Sequence, residues 1–306
     1  MNRREFFGGS LAGLGLMAVS GMSSEADGAT IGELDKRSVA KLRISSQLGV
    51  CPGDTLEEKL ANMKKFGCEA VEYGGDVVGQ GEKYRKMADD AGLKVSAICW
   101  GSHGGDLCKG DPARVESIRD DMKKALETAG ILGCSGVIHV PAFSSETTMT
   151  NQEIRKMCLD FYPEMAEFAK SCNTNLILEP LCRMEAFFIR QVADGTAICR
   201  DCVGAPDKGL GVMGDFYHMD TEEVNDMAAL IYAGDYLKHI HLAGGVEEPR
   251  RTLPGQNSRR FVDGFRGLKY IGYQGFCSFE CGRGPGDIME EFPKAIKFLQ
   301  SQWEEA

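Results

Sequence analysis

Eight short apolar runs, each followed by a stretch with polar and apolar positions at helical spacing, organise the chain from residue 43 onward. The runs are 43–49 (RISSQLG), 68–74 (CEAVEYG), 94–101 (KVSAICWG) and 135–141 (SGVIHVP), then 175–181 (NLILEPL), 210–217 (LGVMGDFY), 237–243 (LKHIHLA) and 275–281 (GFCSFEC). Runs this short suit strands buried on both faces, as in a parallel sheet. Between them, residues 55–66 put Leu56, Leu60 and Met63 on one helical face, and residues 113–131 do the same with Val115, Ile118, Met122 and Leu126. Asp111-Pro112 predicts a cap followed by a first-turn proline. A last helix over 286–300 turns Ile288, Phe292, Ile296 and Leu299 inward. Repeated strand–helix units of this number predict an α/β fold, a single (β/α)8 TIM barrel spanning residues 31–306. An open doubly wound sheet would carry a Gly-rich phosphate turn after its first strand, which Gly49-Val50-Cys51-Pro52-Gly53 is not.

Residues 1–30 stand outside this pattern. Arg3-Arg4-Glu5-Phe6-Phe7 precedes a mild apolar run, Leu11 to Val19, and then a tail rich in Ser, Gly and Ala. That order predicts an export signal of the twin-arginine type, and so a periplasmic or other extracytoplasmic location for a protein exported folded. The apolar run falls short of the roughly 20 residues that span a bilayer, so no membrane span is expected. A net charge of −10 with scattered Lys and Arg excludes a nucleic-acid partner. The chain has 12 cysteines, most of them inside apolar strand or helix patterns. They read as small buried hydrophobes, a reading that export in the folded state permits. Cys199-Arg200-Asp201-Cys202 has the spacing of a zinc or redox pair but sits alone in a helical pattern.

Chemistry in such a barrel gathers at the C-terminal ends of the strands. Polar residues close four successive runs there: Glu179, Asp215, His241 and Glu280. Buried carboxylates are costly unless paired or bound to a cation. Three carboxylates and one imidazole at equivalent strand ends predict one shared divalent cation, Mn²⁺ first, with Mg²⁺, Co²⁺ or Zn²⁺ as alternatives. No organic cofactor is expected. His239 and His241 face the same side of their strand, with His239 one layer deeper. His139 ends the fourth strand, where it lines the pocket or serves as a hydrogen-bonded structural histidine. Trp100 supplies an apolar wall or packs in the core.

Leu178-Glu179-Pro180-Leu181-Cys182-Arg183-Met184-Glu185 is similar to the LEPxNRxE segment of the ketose 3-epimerases, and Gly214-Asp215-Phe216-Tyr217-His218-Met219 to their DTFHMN segment. His239-Ile240-His241 followed by Arg250-Arg251 and Pro254-Gly255 resembles their HxH…RR…PG stretch. Gly272-Tyr273-Gln274-Gly275-Phe276 leading to Glu280 resembles IGYEG…xE. The likeness is strong over residues 170 to 285 and elsewhere extends only to the barrel pattern. It points to the xylose isomerase-like barrels of the sugar phosphate isomerase/epimerase group, closest to the tagatose/psicose 3-epimerases.

The resemblance implies that Glu179, Asp215, His241 and Glu280 hold the metal, with Glu179 and Glu280 also the catalytic acid/base pair. It implies that Glu185 and His218 bind substrate oxygens, with Arg250 or Arg251 adding hydrogen bonds. The chain departs from the pattern at Cys182, where relatives have Asn. It departs again at Glu247, where relatives have Arg, and in a longer stretch from 244 to 260. The expected reaction is isomerisation or epimerisation of a small sugar or glycoside by proton abstraction α to a carbonyl, through an enediolate. The alternative on the same site is a lyase that eliminates the aglycone from 3-keto-glycosides. By analogy with such barrels, a homo-oligomer is within expectation.

Overall fold

Each apolar run becomes a strand that pairs in parallel with its neighbours. The strands are β1 (Arg43–Gln47), β2 (Ala70–Gly74), β3 (Lys94–Gly101) and β4 (Val137–His139), then β5 (Leu176–Leu178), β6 (Leu210–Asp215), β7 (Leu237–Leu242) and β8 (Phe276–Phe279). β1 also pairs with β8, Ser45 opposite Ser278, so the sheet closes on itself in the order β1 to β8. This computed structural model describes residues 38–306. The signal expected over residues 1–30 lies outside the described residues.

The helices are α1 (Leu56–Phe66), α2 (Gly81–Asp90), α3 (Pro112–Leu132), α4 (Asn151–Ser171) and α5 (Val192–Val203), followed by α6 (Phe216–Glu222), α7 (Asp226–Ala233), α8 (Val262–Tyr270) and α9 (Ile288–Glu305). Local sequence fixes their ends. Thr55 and Glu58 close a capping box before α1, and Gly67 ends it with a left-handed φ of 100°. Asp111 caps α3 by accepting the Ala113 amide at 3.0 Å, with Pro112 in the first turn. Leu60 and Met63 of α1, Ile118, Met122 and Leu126 of α3, and Phe292, Ile296 and Leu299 of α9 are buried, as their spacing requires. Each such side chain withdrawn from water contributes about 1.5–3 kcal/mol.

Inside the barrel, Ala97, Ile138, Ile177 and Met213 form a small apolar cluster of their own. Polar side chains share the interior with it: Ser45 and Ser96 hydrogen-bond each other at 2.7 Å, and Glu72 and His239 are fully buried. All 12 cysteines are free thiols. Cys199 and Cys202 lie in α5, and burial pushes the Cys202 thiol up to about 11, which keeps it protonated and unreactive. No helix among the described residues is long and apolar enough to cross a membrane.

Candidate active site

Strand alternation decides which side chains enter the barrel mouth. Asp215 is the last residue of β6 and lies opposite His241 of β7 in register. Glu179 and Glu280 are the first residues after β5 and β8. Their amides continue the barrel's ladder, Glu179 N donating to His139 O at 3.1 Å and Glu280 N to Leu242 O at 3.2 Å. Both carboxylates are therefore set by sheet backbone rather than by a loose loop. One ligand atom from each of Glu179, Asp215, His241 and Glu280 lies within 4.8 Å of the others. Glu179, Asp215 and His241 are buried, while Glu280 is partly exposed.

Asp215, Glu280 and His241 are also held from behind. Asp215 Oδ1 caps α6 by accepting the Tyr217 amide at 2.8 Å, leaving Oδ2 for the shared space. Glu280 Oε1 accepts from Gln47 Nε2 at 3.0 Å. His241 Nε2 lies 3.0 and 3.2 Å from the two oxygens of Glu72. Glu72 also accepts from His239 Nε2 at 2.7 Å and Gln47 Nε2 at 2.8 Å. Burial opposes ionisation of Glu72, but His241 and His239 outweigh it and hold the carboxyl well below the usual range.

An ionised Glu72 only accepts, so Nε2 of both histidines carries a proton. In a neutral ring, His241 Nδ1 is then a lone pair, buried and without a hydrogen-bond partner. It stands 2.9 Å from Glu280 Oε2 and 3.5 Å from Glu179 Oε1. A lone pair facing carboxylate oxygens demands positive charge between them. Without a cation, a proton supplies it: burial disfavours the charged ring, yet Glu280 and Glu72 raise His241 well above the ordinary histidine range. Three carboxylates and one imidazole at this spacing fit a divalent cation of the Mn²⁺ or Mg²⁺ kind in the same place. Glu72 is then the outer carboxylate that fixes the tautomer and orientation of a ligating histidine.

The structure places the other expected residues unevenly. Arg251 reaches the cluster, with Nη2 at 2.7 Å from Glu280 Oε2 and 3.3 Å from Asp215 Oδ2, and its guanidinium lies over the Tyr217 ring. Glu185 joins through Arg251 Nη1 at 3.5 Å. His218 Nδ1 accepts the Cys182 amide at 3.1 Å, so its proton is on Nε2, 3.4 Å from Asp215 Oδ2. Arg250 does not belong to this group: it is exposed and pairs with Glu248 at 2.9 Å. Neither His139 nor Trp100 is brought into the cluster. His139 Nδ1 bonds Gly101 O at 2.9 Å, its ring packs edge-on to Tyr162 of α4, and burial lowers its pKa to about 4. Trp100 is buried against the rings of His103 and His139. A groove of about 650 Å³ that takes in Met219, Asp226, Glu247 and Arg266 contains none of the four clustered residues.

Sequence reasoning missed Glu72 and Gln47. The available signal was a lone carboxylate inside an apolar strand, Val71-Glu72-Tyr73, together with an HxH pair whose two imidazoles need an acceptor.

The chain matches the profile of the xylose isomerase-like TIM barrel over residues 60–302. It is 27% identical to a 3-dehydro-D-guloside 4-epimerase of Escherichia coli (strain K12) over 273 residues, 85% of this chain and 100% of that protein. It is 28% identical to a D-psicose 3-epimerase of Enterocloster bolteae over 206 residues, 64% of each chain. Among solved structures, the 3-keto-D-glucoside 4-epimerase of E. coli in its apo form superposes with a TM-score of 0.75 at 25% identity, covering 85% of this chain and 100% of that one. D-psicose 3-epimerase with D-tagatose, from Clostridium cellulolyticum H10, shares the fold with a TM-score of 0.75 at 18% identity, over 86% of this chain and 99% of that one. The relatives are sugar epimerases, and on the matched span of its sequence the chain belongs to the xylose isomerase-like TIM-barrel family.

Proposed function

We propose that the chain is a divalent-cation-dependent sugar epimerase that inverts a carbon beside a ketone by removing and returning a proton. The observation that carries this reading is the convergence of Glu179, Asp215, His241 and Glu280, with Glu72 turning His241 Nδ1 into the group. A bound cation, Mn²⁺ by first choice, would polarise the carbonyl and stabilise negative charge on its oxygen. The protein's own groups do the rest. Glu179 and Glu280 follow β5 and β8, three strands apart in the barrel, and so approach a bound sugar from different sides. One removes the proton from carbon and keeps it, and the other delivers its own solvent-derived proton to the opposite face. In the cation-free protein, burial and the Glu280 charge raise Glu179. Desolvation opposes ionisation of Glu280, yet His241 and Arg251 keep its carboxyl well below the usual range. His218 Nε2–H and the Arg251 guanidinium can donate to substrate oxygens, and Glu185 can accept from a hydroxyl.

The relatives' names describe inversion next to a ketone, at C4 of a 3-dehydro sugar and at C3 of a 2-ketose. The same class of substrate is proposed here, as a neutral sugar or glycoside. The Gly282–Gly286 turn offers little to a phosphate, because Arg283 donates to Gly49 O at 3.2 Å and Cys51 O at 2.9 Å.

The test is incubation of the Mn²⁺-loaded protein in D₂O with a 3-keto-glucoside and, separately, with D-psicose. The expected product is an epimer carrying deuterium at the inverted carbon. Glu179→Gln and Glu280→Gln should each lose at least ~10²-fold in rate. Near-normal turnover in both variants would remove the two-carboxylate scheme. Release of the aglycone without an epimer would replace epimerisation by elimination.

A further inference from the structure

Arg251 belongs to the loop that joins β7 to α8, and its backbone is left-handed, with φ at 49°. A non-glycine residue holds that conformation only where its surroundings over-determine it. Its amide donates to Gly245 O at 3.1 Å, and its carbonyl accepts from Gly282 N at 2.7 Å. The Gly245 carbonyl is thus one anchor of the strained residue. What anchors Gly245 is the side chain of Asn257.

Asn257 is half-buried and makes five hydrogen bonds, all within this one loop. Its Oδ1 accepts from the amides of Gly245 at 3.3 Å and Arg259 at 3.2 Å. Its Nδ2 donates to the carbonyls of Gly245 at 3.3 Å, Glu247 at 3.4 Å and Pro249 at 3.2 Å. The Pro249 carbonyl also accepts from Thr252 Oγ1 at 3.0 Å, and Thr252 O accepts from Gly244 N at 2.7 Å, so the bonds on either side of Arg251 meet at the same amide. The fit is close: a Cβ on Gly244 would stand 2.8 Å from Asn257 Nδ2.

We propose that Asn257 is a positioning residue whose side-chain amide locks the β7–α8 loop, so that Arg251 is presented to Glu280 and Asp215 already in its working orientation. A long arginine side chain loses much rotamer freedom when it is fixed, and a loop that fixes its backbone beforehand leaves less to be lost on substrate binding. Asn257 touches none of the clustered carboxylates, so its effect passes through Arg251.

The inference rests on the reading of Arg251 as a substrate-binding group, and the test separates the two. The first measurement needs no activity and no cation: hydrogen–deuterium exchange of the full chain, wild type against Asn257→Ala. Amides in residues 244–252 are expected to exchange about 10-fold faster, the scale of one lost hydrogen bond, with the strands unchanged. Gly244→Ala, which pushes a methyl group against Nδ2, is expected to act in the same direction. Asn257→Asp keeps the acceptor and removes the donors, and it takes the place of the alanine variant if that one does not fold. The second measurement is a double-mutant cycle on kcat/KM. Asn257→Ala alone should lose about 10-fold, below the 10²-fold that a 1 Å displacement can cost, and should lose nothing further in an Arg251→Ala background. Unchanged exchange in residues 244–252, or losses that multiply in the double variant, would overturn the proposal. Faster exchange in a protein whose wild type epimerises no ketose would support the lock and count against the sugar reading alone.

Discussion

Replacing Glu72 by glutamine tests the cation site from behind, without touching a ligand. Glu72 takes N–H donors from His239, His241 and Gln47 at 2.7, 3.0 and 2.8 Å. A glutamine keeps the shape but offers one acceptor oxygen and an NH₂ group. At least one of the three donors then faces another donor. Gln47 is only half-buried, but both histidines are fully buried and have nowhere to turn. A buried donor left unpaired costs about 1–3 kcal/mol. The loss of the anion also makes His241 a poorer ligand. Removing the outer partner of a metal-binding histidine lowers metal affinity roughly 10- to 100-fold, about 1.4–2.7 kcal/mol. The measurement is calorimetric titration of cation-free wild type and Glu72→Gln with Mn²⁺ at about pH 8, where a proton competes least for His241. Thermal unfolding of the cation-free proteins should move with it, by about 2–4 °C for each kcal/mol lost. A Mn²⁺ affinity within about twofold of wild type, in a variant that folds normally, would refute the outer-carboxylate role of Glu72.

Other expectations follow from the same geometry. A proton and the cation compete for His241, whose pKa Glu280 and Glu72 raise against burial. Mn²⁺ binding should therefore tighten from about pH 6 to about pH 8 and release up to about one proton from that ring, counted in buffers of different ionisation enthalpy. An affinity flat over that range would argue that the ring is already neutral. Arg250→Ala should leave kcat/KM within about twofold, since the side chain pairs with exposed Glu248 and lies outside the cluster, whereas Arg251→Ala should cost on the order of 10²-fold. Equal effects of the two would show that the loop rearranges on binding. Changing Arg3 and Arg4 together to Lys should leave the protein in the cytoplasm, read by fractionation, if residues 1–30 direct export as proposed.

The barrel was legible because its strands are short apolar runs and its helices carry their own stop signals, as at Thr55, Gly67 and Asp111. The four converging residues were legible because each puts a polar group where an apolar run ends. What the sequence hides is partnership across the barrel. Glu72 and His241 are 169 residues apart and come together only when the sheet closes. Gln47 bridges Glu72 and Glu280 for the same reason, and nothing in Ser46-Gln47-Leu48 marks it out. The choice between Arg250 and Arg251 is made by one left-handed residue in a loop, a conformation that no periodicity records. His139 shows the opposite limit. Its position at a strand end resembles that of Asp215, but its neighbour Ile138 is the one that joins the apolar cluster inside the barrel, and the His139 ring rests on Tyr162.

Charge then links the cation to the proton chemistry. Glu72, Glu179, Glu185, Asp215 and Glu280 are joined by contacts in which Arg251 is the only arginine or lysine among the described residues. Two carboxylates about 4 Å apart repel by about 4 kcal/mol at the effective dielectric of a protein site. Without a cation the site relieves this by holding protons, and Glu179 and His241 are the groups pushed toward holding them. A divalent cation held by Glu179, Asp215, His241 and Glu280 would relieve it by charge and leave Glu179 and His241 free of those protons. In the proposed reaction the cation would thus do more than polarise a carbonyl, because it would also decide whether Glu179 is ionised and able to act as a base. Chelation should therefore abolish exchange of the substrate's C–H proton with solvent at pH 7, rather than leave a slow exchange driven by the carboxylates alone. Exchange in the chelated protein within about 10-fold of the loaded rate would show that Glu179 is ionised without help. The coupling between cation and base would then have to be given up.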